Sequence, residues 1–204
     1  MQIIYSLIVF LSIFAIALSS TSKTLDHTVG ECLSKLATDE ITISYNYLQL
    51  ASKFGTNKAY PGFSSLFTKL SDEFSSKGHE LVKFIALRKA NVDRLITKDG
   101  ISIRSGLTGV NEIGVGLTEA VNQNDVVYKQ IRNCHEKADD VKEANVQDYL
   151  ESHLLDHHIE VTKLLSDIQQ RIRDAQPSEQ QLIMFMIDEE LLQTYGDRRK
   201  DIFA

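Results

Sequence analysis

Four residues stand where an apolar helix face calls for aliphatic side chains: Glu40, Lys77, Asn124 and His158. Glu40 falls in the run Val29, Leu33, Leu36, Glu40, Ile43, Tyr47, Ala51, Phe54, which keeps an i, i+3/i+4 rhythm. Lys77 follows Phe63, Leu66, Phe67, Leu70 and Phe74 and precedes Leu81 and Ile85. Asn124 interrupts Ile113, Leu117, Val121, Tyr128 and Ile131, and His158 interrupts Leu150, Leu154, Val161, Leu165, Ile168 and Ile172. A carboxylate, a cation, an amide and an imidazole meeting inside an apolar bundle have two chemical uses. They coordinate a metal ion, with oxygen and imidazole donors, or they pair so that no charge is buried alone. For Glu40 a third arrangement rotates the helix and leaves the carboxylate at the rim of the face.

Other chemistry-bearing groups lie on the outward faces. Asp148 and Glu151 are three apart on a helical pattern, so their carboxylates sit side by side. Asp72 and Glu73 are adjacent acids one turn before Lys77. His153 and His157 are four apart and present imidazoles on one helix face. With no third ligand in sequence, solvated histidines are the plainer reading. His79 is two residues from Lys77, about 200° round the helix, and points outward.

The elements that position these groups are helices. Gly55 ends the first, and Pro61 suits the first turn of the second, where its missing N–H is harmless. The second runs to about Lys89. Asn91 to Gly109 has no period and is long for a connection; it can carry the chain the length of a bundle. Asp139-Asp140 ends the third helix, and Asp140-Val-Lys-Glu143 reads as a capping box opening the fourth. After Pro177 a shorter segment rich in Leu, Ile and Met runs from Ser178 to about Leu192. The pattern predicts an all-α fold: a four-helix bundle with one long crossover and a short fifth helix. Mid-bundle polar positions are where such bundles build dinuclear carboxylate sites.

Bulk properties agree. The chain has 204 residues, 43% hydrophobic and 25% charged, with 2 Pro and no Trp, which suits one domain with a sizeable core. A net charge of −6 speaks against a nucleic-acid surface. Ile3 to Leu18 is almost wholly apolar, and Ala17-Leu18-Ser19 offers small residues for cleavage, so residues 1–20 read as a secretory signal peptide and 21–204 as the domain. No Lys or Arg precedes the apolar core, and a retained anchor is the alternative. No second apolar span follows, so no membrane partner is expected. Cys32 and Cys134 suggest one disulfide in a secreted chain, or partners in different subunits. No Asn-x-Ser/Thr sequon occurs.

Glu40 with Tyr45-Asn-Tyr-Leu48, Pro61-Gly-Phe63, Phe67, Ser71-Asp-Glu73 and Leu81 before Arg88, then Asp148-Tyr-Leu-Glu151-Ser-His-Leu-Leu155 and Phe185-Met-Ile-Asp-Glu-Glu-Leu-Leu192, resemble the ferritins over roughly Leu25 to Gly196. With the signal peptide and cysteines, the chain is most similar to the secreted light-chain type of arthropods. The resemblance implies a ferritin-like bundle assembled as a 24-mer shell. It implies iron as cargo, ferrous in transit and ferric as mineral in the cavity. Of the family's ferroxidase centre, Glu40 and Tyr47 match the first carboxylate and the tyrosine. Phe74 and Lys77 stand where the family has Glu and His, Asn124 near its third-helix Glu, and His158 at its fourth-helix Gln. Lys77 then brings a cation that repels iron and could pair with Glu40 across the bundle.

The resemblance further assigns Asp148 and Glu151, with His135 close by, to threefold channels, and Asp72 and Glu73 to mineral nucleation. Of the family's nucleating positions, Ser65, Thr68, Lys69 and Ser76 are not acidic. The apolar fifth helix would be buried at fourfold axes. With the long crossover, the first and third helices run antiparallel, which brings Cys32 and Cys134 to one end of the bundle; a bridge to another subunit is the competitor. The implied function is iron storage and transport by a catalytically silent subunit, in the secretory pathway lumen or haemolymph. It would form a homo- or hetero-assembly, with a ferroxidase-active heavy chain as partner. Two other functions fit the pattern: a heavy-type ferritin oxidising iron at Glu40 and His158, and a secreted signalling bundle.

Overall fold

The computed structural model describes residues 24–56, 60–90, 100–102 and 112–196. The signal-peptide segment, residues 1–20, and most of the Asn91–Gly109 connection lie outside the described residues. Every regular element among the described residues is helical: α1 (His27–Thr56), α2 (Pro61–Leu87), α3 (Ile113–Asp140), α4 (Ala144–Leu150), a π-helical turn (Glu151–Leu155), α5 (Asp156–Asp174) and α6 (Gln180–Tyr195). Backbone angles at Leu150, Glu151, Leu155 and Asp156 are all right-handed helical, so α4, the π turn and α5 form one continuous rod.

The sequence places these helices through ordinary end signals. Asp26 caps α1, its carboxylate accepting from Thr28 N–H at 2.8 Å and Val29 N–H at 3.3 Å. Pro61 opens α2. The expected capping box at Asp140–Glu143 is absent. Asp140 is still the last residue of α3, and α4 begins only at Ala144 with no side-chain cap bond from Glu143. The Glu143 carboxylate is taken instead by Arg88 at 2.7 Å in a largely buried ion pair joining the end of α2 to the start of α4. The second helix ends at Leu87, two residues short of expectation, and the sixth runs on to Tyr195.

Directions follow from contacts at the helix ends. Leu25 N–H donates to the carbonyl of Arg88, and Ser64 Oγ donates to the carbonyl of Ala51, so α1 and α2 are antiparallel. A disulfide joins Cys32, early in α1, to Cys134, late in α3, with Cα atoms 5.6 Å apart, so α1 and α3 are antiparallel too. The consecutive helices α2 and α3 are therefore parallel. The cysteine alternative of separate partners gives way to an intrachain bridge.

The core is one cluster of apolar side chains from all four rods. The face predicted for α1 is buried throughout, Glu40 included, so the rim placement does not hold. On α2 the buried face runs from Phe63, Leu66, Phe67 and Leu70 on through Phe74, Gly78, Leu81 and Ile85. Gly78, not Lys77, meets α1: a Cβ there would stand 2.8 Å from Ile41 Cγ1 and 3.4 Å from Glu40 Cβ. The fifth helical segment, α6, docks on the start of α2 with its backbone. A Cβ on Gly62 would fall 1.8 Å from the Asp188 carbonyl oxygen.

The π turn solves a register problem in the last rod. Leu150, Leu154 and His158 are all buried at spacings of four. Each step of four over-rotates an α-helix by about 40°, so two would carry His158 about 80° off the core line. The wider π turn absorbs that rotation.

Candidate functional site

Glu40 from α1 and His158 from α5 meet at mid-bundle. His158 Nε2 donates to Glu40 Oε1 at 2.9 Å, with both side chains 0% exposed. Asn124 Nδ2 on α3 donates to the His158 carbonyl at 2.8 Å and to Thr162 Oγ1 at 2.6 Å. It thereby holds the α5 backbone from which His158 projects. Glu40 Oε2, Asn124 Oδ1 and His158 Nδ1 are buried and have no hydrogen-bond partner in the protein.

Lys77 does not pair with Glu40. Its ammonium lies 4.0 Å from Glu80 on its own helix, with the side chain 25% exposed. The reason is the 100° between neighbouring residues on a helix. Gly78 takes the inward position, and the lysine stem lies along the bundle with its charge at the rim, where it keeps solvent. The buried partner of the carboxylate is an imidazole, which can stay neutral and so costs less to bury than an ammonium.

Phe74 fills the space between these groups. Its ring makes edge contacts with Tyr47 at 5.2 Å and His157 at 5.0 Å, and lies 5.2 Å from His158. The Tyr47 hydroxyl donates to the Ala120 carbonyl at 2.9 Å. Burial, reinforced by the Glu40 charge, pushes its phenol far above the usual range, so it stays protonated. Of the five expected positions around Glu40, the structure therefore brings His158, Phe74, Tyr47 and Asn124 into the core and sends Lys77 outward.

On the face between α2 and the last rod, Glu73 Oε2 lies 3.4 Å from His157 Nε2, and Lys69 lies 3.7 Å from the other Glu73 oxygen. Asp72 is exposed beside it. Burial holds His157 below the usual histidine range, so it is neutral at pH 7. Ser65 and Thr68 turn their hydroxyls back onto their own helix, to the carbonyls of Pro61 and Ser64. His79 is exposed, as its angle requires.

His153 and His157 are not brought together. His153 stacks on Tyr149 at 4.6 Å, which in turn stacks on Phe84 at 4.1 Å, whereas His157 faces Glu73. The π turn between the two histidines separates their directions. Near the Asp148 and Glu151 carboxylates, both exposed, His135 Nε2 reaches Glu151 Oε1 at 2.6 Å across from α3.

Several structural residues gave weak signals in the sequence. Asp188 Oδ1 accepts from Phe63 N–H at 2.8 Å, so α6 caps α2 from across the fold. Burial raises the Asp188 carboxyl despite these amide donors. Gly78 fits the stripe Phe74, Gly78, Leu81, Ile85 at spacings of four and three, as Lys77 does at three and four. His157 was visible as the helix-face neighbour of His153, but its partner Glu73 lies on another helix, far away in sequence.

A four-rod bundle with two parallel consecutive helices and a mid-bundle carboxylate and imidazole defines the ferritin-like class of helical proteins. The ferritin-like domain family matches residues 31–175, which covers most of the chain, and the chain belongs to the ferritin family. It is similar to the ferritin light chain of Trichoplusia ni, 29% identical over 164 residues, which cover 74% of this chain and 69% of the relative. It is also similar to the ferritin light chain, oocyte isoform, of Xenopus laevis, 25% identical over 159 residues, which cover 76% of this chain and 86% of that one.

Proposed function

We propose that this chain is the iron-storage subunit of a secreted 24-mer ferritin shell and has no working ferroxidase centre of its own. The observation that carries this reading is the closed Glu40–His158 pair. The mid-bundle carboxylate of Glu40 spends an oxygen on the imidazole, and the Phe74 ring occupies the adjoining space. A dinuclear iron site needs several oxygen ligands together with open positions for oxygen. The light-chain relatives support the same assignment.

The shell is supported by α6. Leu182, Phe185 and Met186 are large, apolar and exposed on it, a surface that a lone bundle leaves in water and a symmetric assembly covers. Asp148 and Glu151, with His135 behind them, would line the route for ferrous iron, and Asp72 and Glu73 would seed the ferric mineral. Because storage requires oxidation of ferrous iron, a ferroxidase-active heavy chain is the expected partner. Secretion rests on the apolar segment at residues 1–20 and on the disulfide, which suits an oxidising compartment. No helix among the described residues is long and apolar enough to cross a membrane.

Co-assembly with a ferroxidase-active ferritin chain tests the reading. The mixed shell should accumulate an electron-dense iron core, and the chain alone should accumulate one slowly. A protein that elutes as a monomer at all concentrations would contradict the shell.

A further inference from the structure

The geometry points to a divalent transition-metal site made by Glu73 of α2 and His157 of α5, bridging two helices and completed by water. This deepens the storage reading by adding a histidine from the last rod to an acidic position on α2.

The distance between the donor atoms suits a shared ion. Metal–imidazole and metal–carboxylate bonds are about 2.0–2.2 Å. Two such bonds at a tetrahedral angle hold their donor atoms about 3.4 Å apart. His157 Nε2 and Glu73 Oε2 stand 3.4 Å apart. That separation is long for a charge-assisted hydrogen bond and suited to one ion between them.

Glu73 is 38% exposed and His157 14%, so one side of the pair opens to solvent while the imidazole is held. The Phe74 ring fixes it edge-on at 5.0 Å. The Glu40–His158 pair shows the contrast: it is at hydrogen-bond distance and wholly enclosed, so water cannot complete a coordination shell there.

Lys69 leans on the far oxygen of Glu73 and also lies 4.9 Å over the Tyr195 ring. An incoming cation can displace it from the carboxylate while the ring retains it. Two protein ligands with open positions suit an ion that arrives and moves on. The ligand class is a first-row divalent ion, with ferrous iron as the cargo and cobalt(II) as a probe.

Crystals of the assembled protein soaked in cobalt(II) test the site by anomalous diffraction. The expected result is a cobalt peak within bonding distance of both His157 Nε2 and Glu73 Oε2, lost in His157→Gln and in Glu73→Gln. Glu73 is a partly exposed helix residue, so Glu73→Gln keeps the fold and the test remains decisive. Lys69→Gln should raise the occupancy at the same cobalt concentration. Absence of a peak at this pair in the wild-type protein, whether or not cobalt appears at Asp148 and Glu151, overturns the proposal. The measurement does not depend on iron storage: a protein that shows the peak but never forms an iron core refutes storage and keeps the site.

Discussion

At the scale of single residues, Glu40 and His158 form a wholly buried hydrogen-bonded pair at mid-bundle. Breaking a buried pair on one side leaves a charge without a partner, which costs about 3–5 kcal/mol. His158→Leu should therefore lower stability by that order in chemical denaturation, and Glu40→Leu combined with it should recover most of the loss. An unchanged midpoint for the single variant would mean that the pair contributes nothing. Tyr149 gives a pH signature. Its hydroxyl is buried without a partner, and burial, with the nearby Glu80 and Glu40 charges, pushes it up to about 12 from 10.0. Between those values the unfolded chain has lost the phenol proton and the folded chain keeps it. The folded state then binds more protons, so stability falls as pH rises through that window. Tyr149→Phe should flatten the fall without a penalty at neutral pH, read from denaturation midpoints on either side of the window. Glu40, Asn124 and His158 were legible as a group because each breaks an apolar stripe. The partner of Glu40 was not, because Lys77 and Gly78 are adjacent in sequence and only the packing of α1 shows which turns inward.

At the scale of elements, helix existence and order were readable from periodicity, and the crossover from one long unpatterned connection. What sequence could not supply was contact between distant ends. The Asp140–Glu143 box had the right residue types, yet Glu143 is claimed by Arg88, which is far away in sequence. Likewise Asp188 looks like an ordinary helix acid until α6 docks and its carboxylate meets the α2 N-terminus. Asp188→Ala should cost about 1–2 kcal/mol, the range for losing a helix cap. It should also release α6 to proteolysis at native conditions; protection equal to wild type would contradict the docking role. The π turn was not legible either, since nothing in the spacings of four at Leu150, Leu154 and His158 marks where the extra rotation is absorbed.

At the scale of the whole molecule, the disulfide ties α1 to α3 across 102 residues of sequence. In the chain-entropy description, closing a loop of that length stabilises by roughly 4 kcal/mol. Cys32→Ser should lower stability accordingly, and the denatured wild-type protein should run as a single chain without reductant. A covalent dimer there would contradict the internal bridge. The chain belongs to the ferritin family, and the function proposed for it turns on whether the mid-bundle Glu40–His158 pair can oxidise iron. The most direct measurement is oxygen uptake by the purified homopolymer after addition of two ferrous ions per chain. The account predicts slow uptake with no saturable fast phase. Rapid oxidation that saturates at two irons per chain would contradict it.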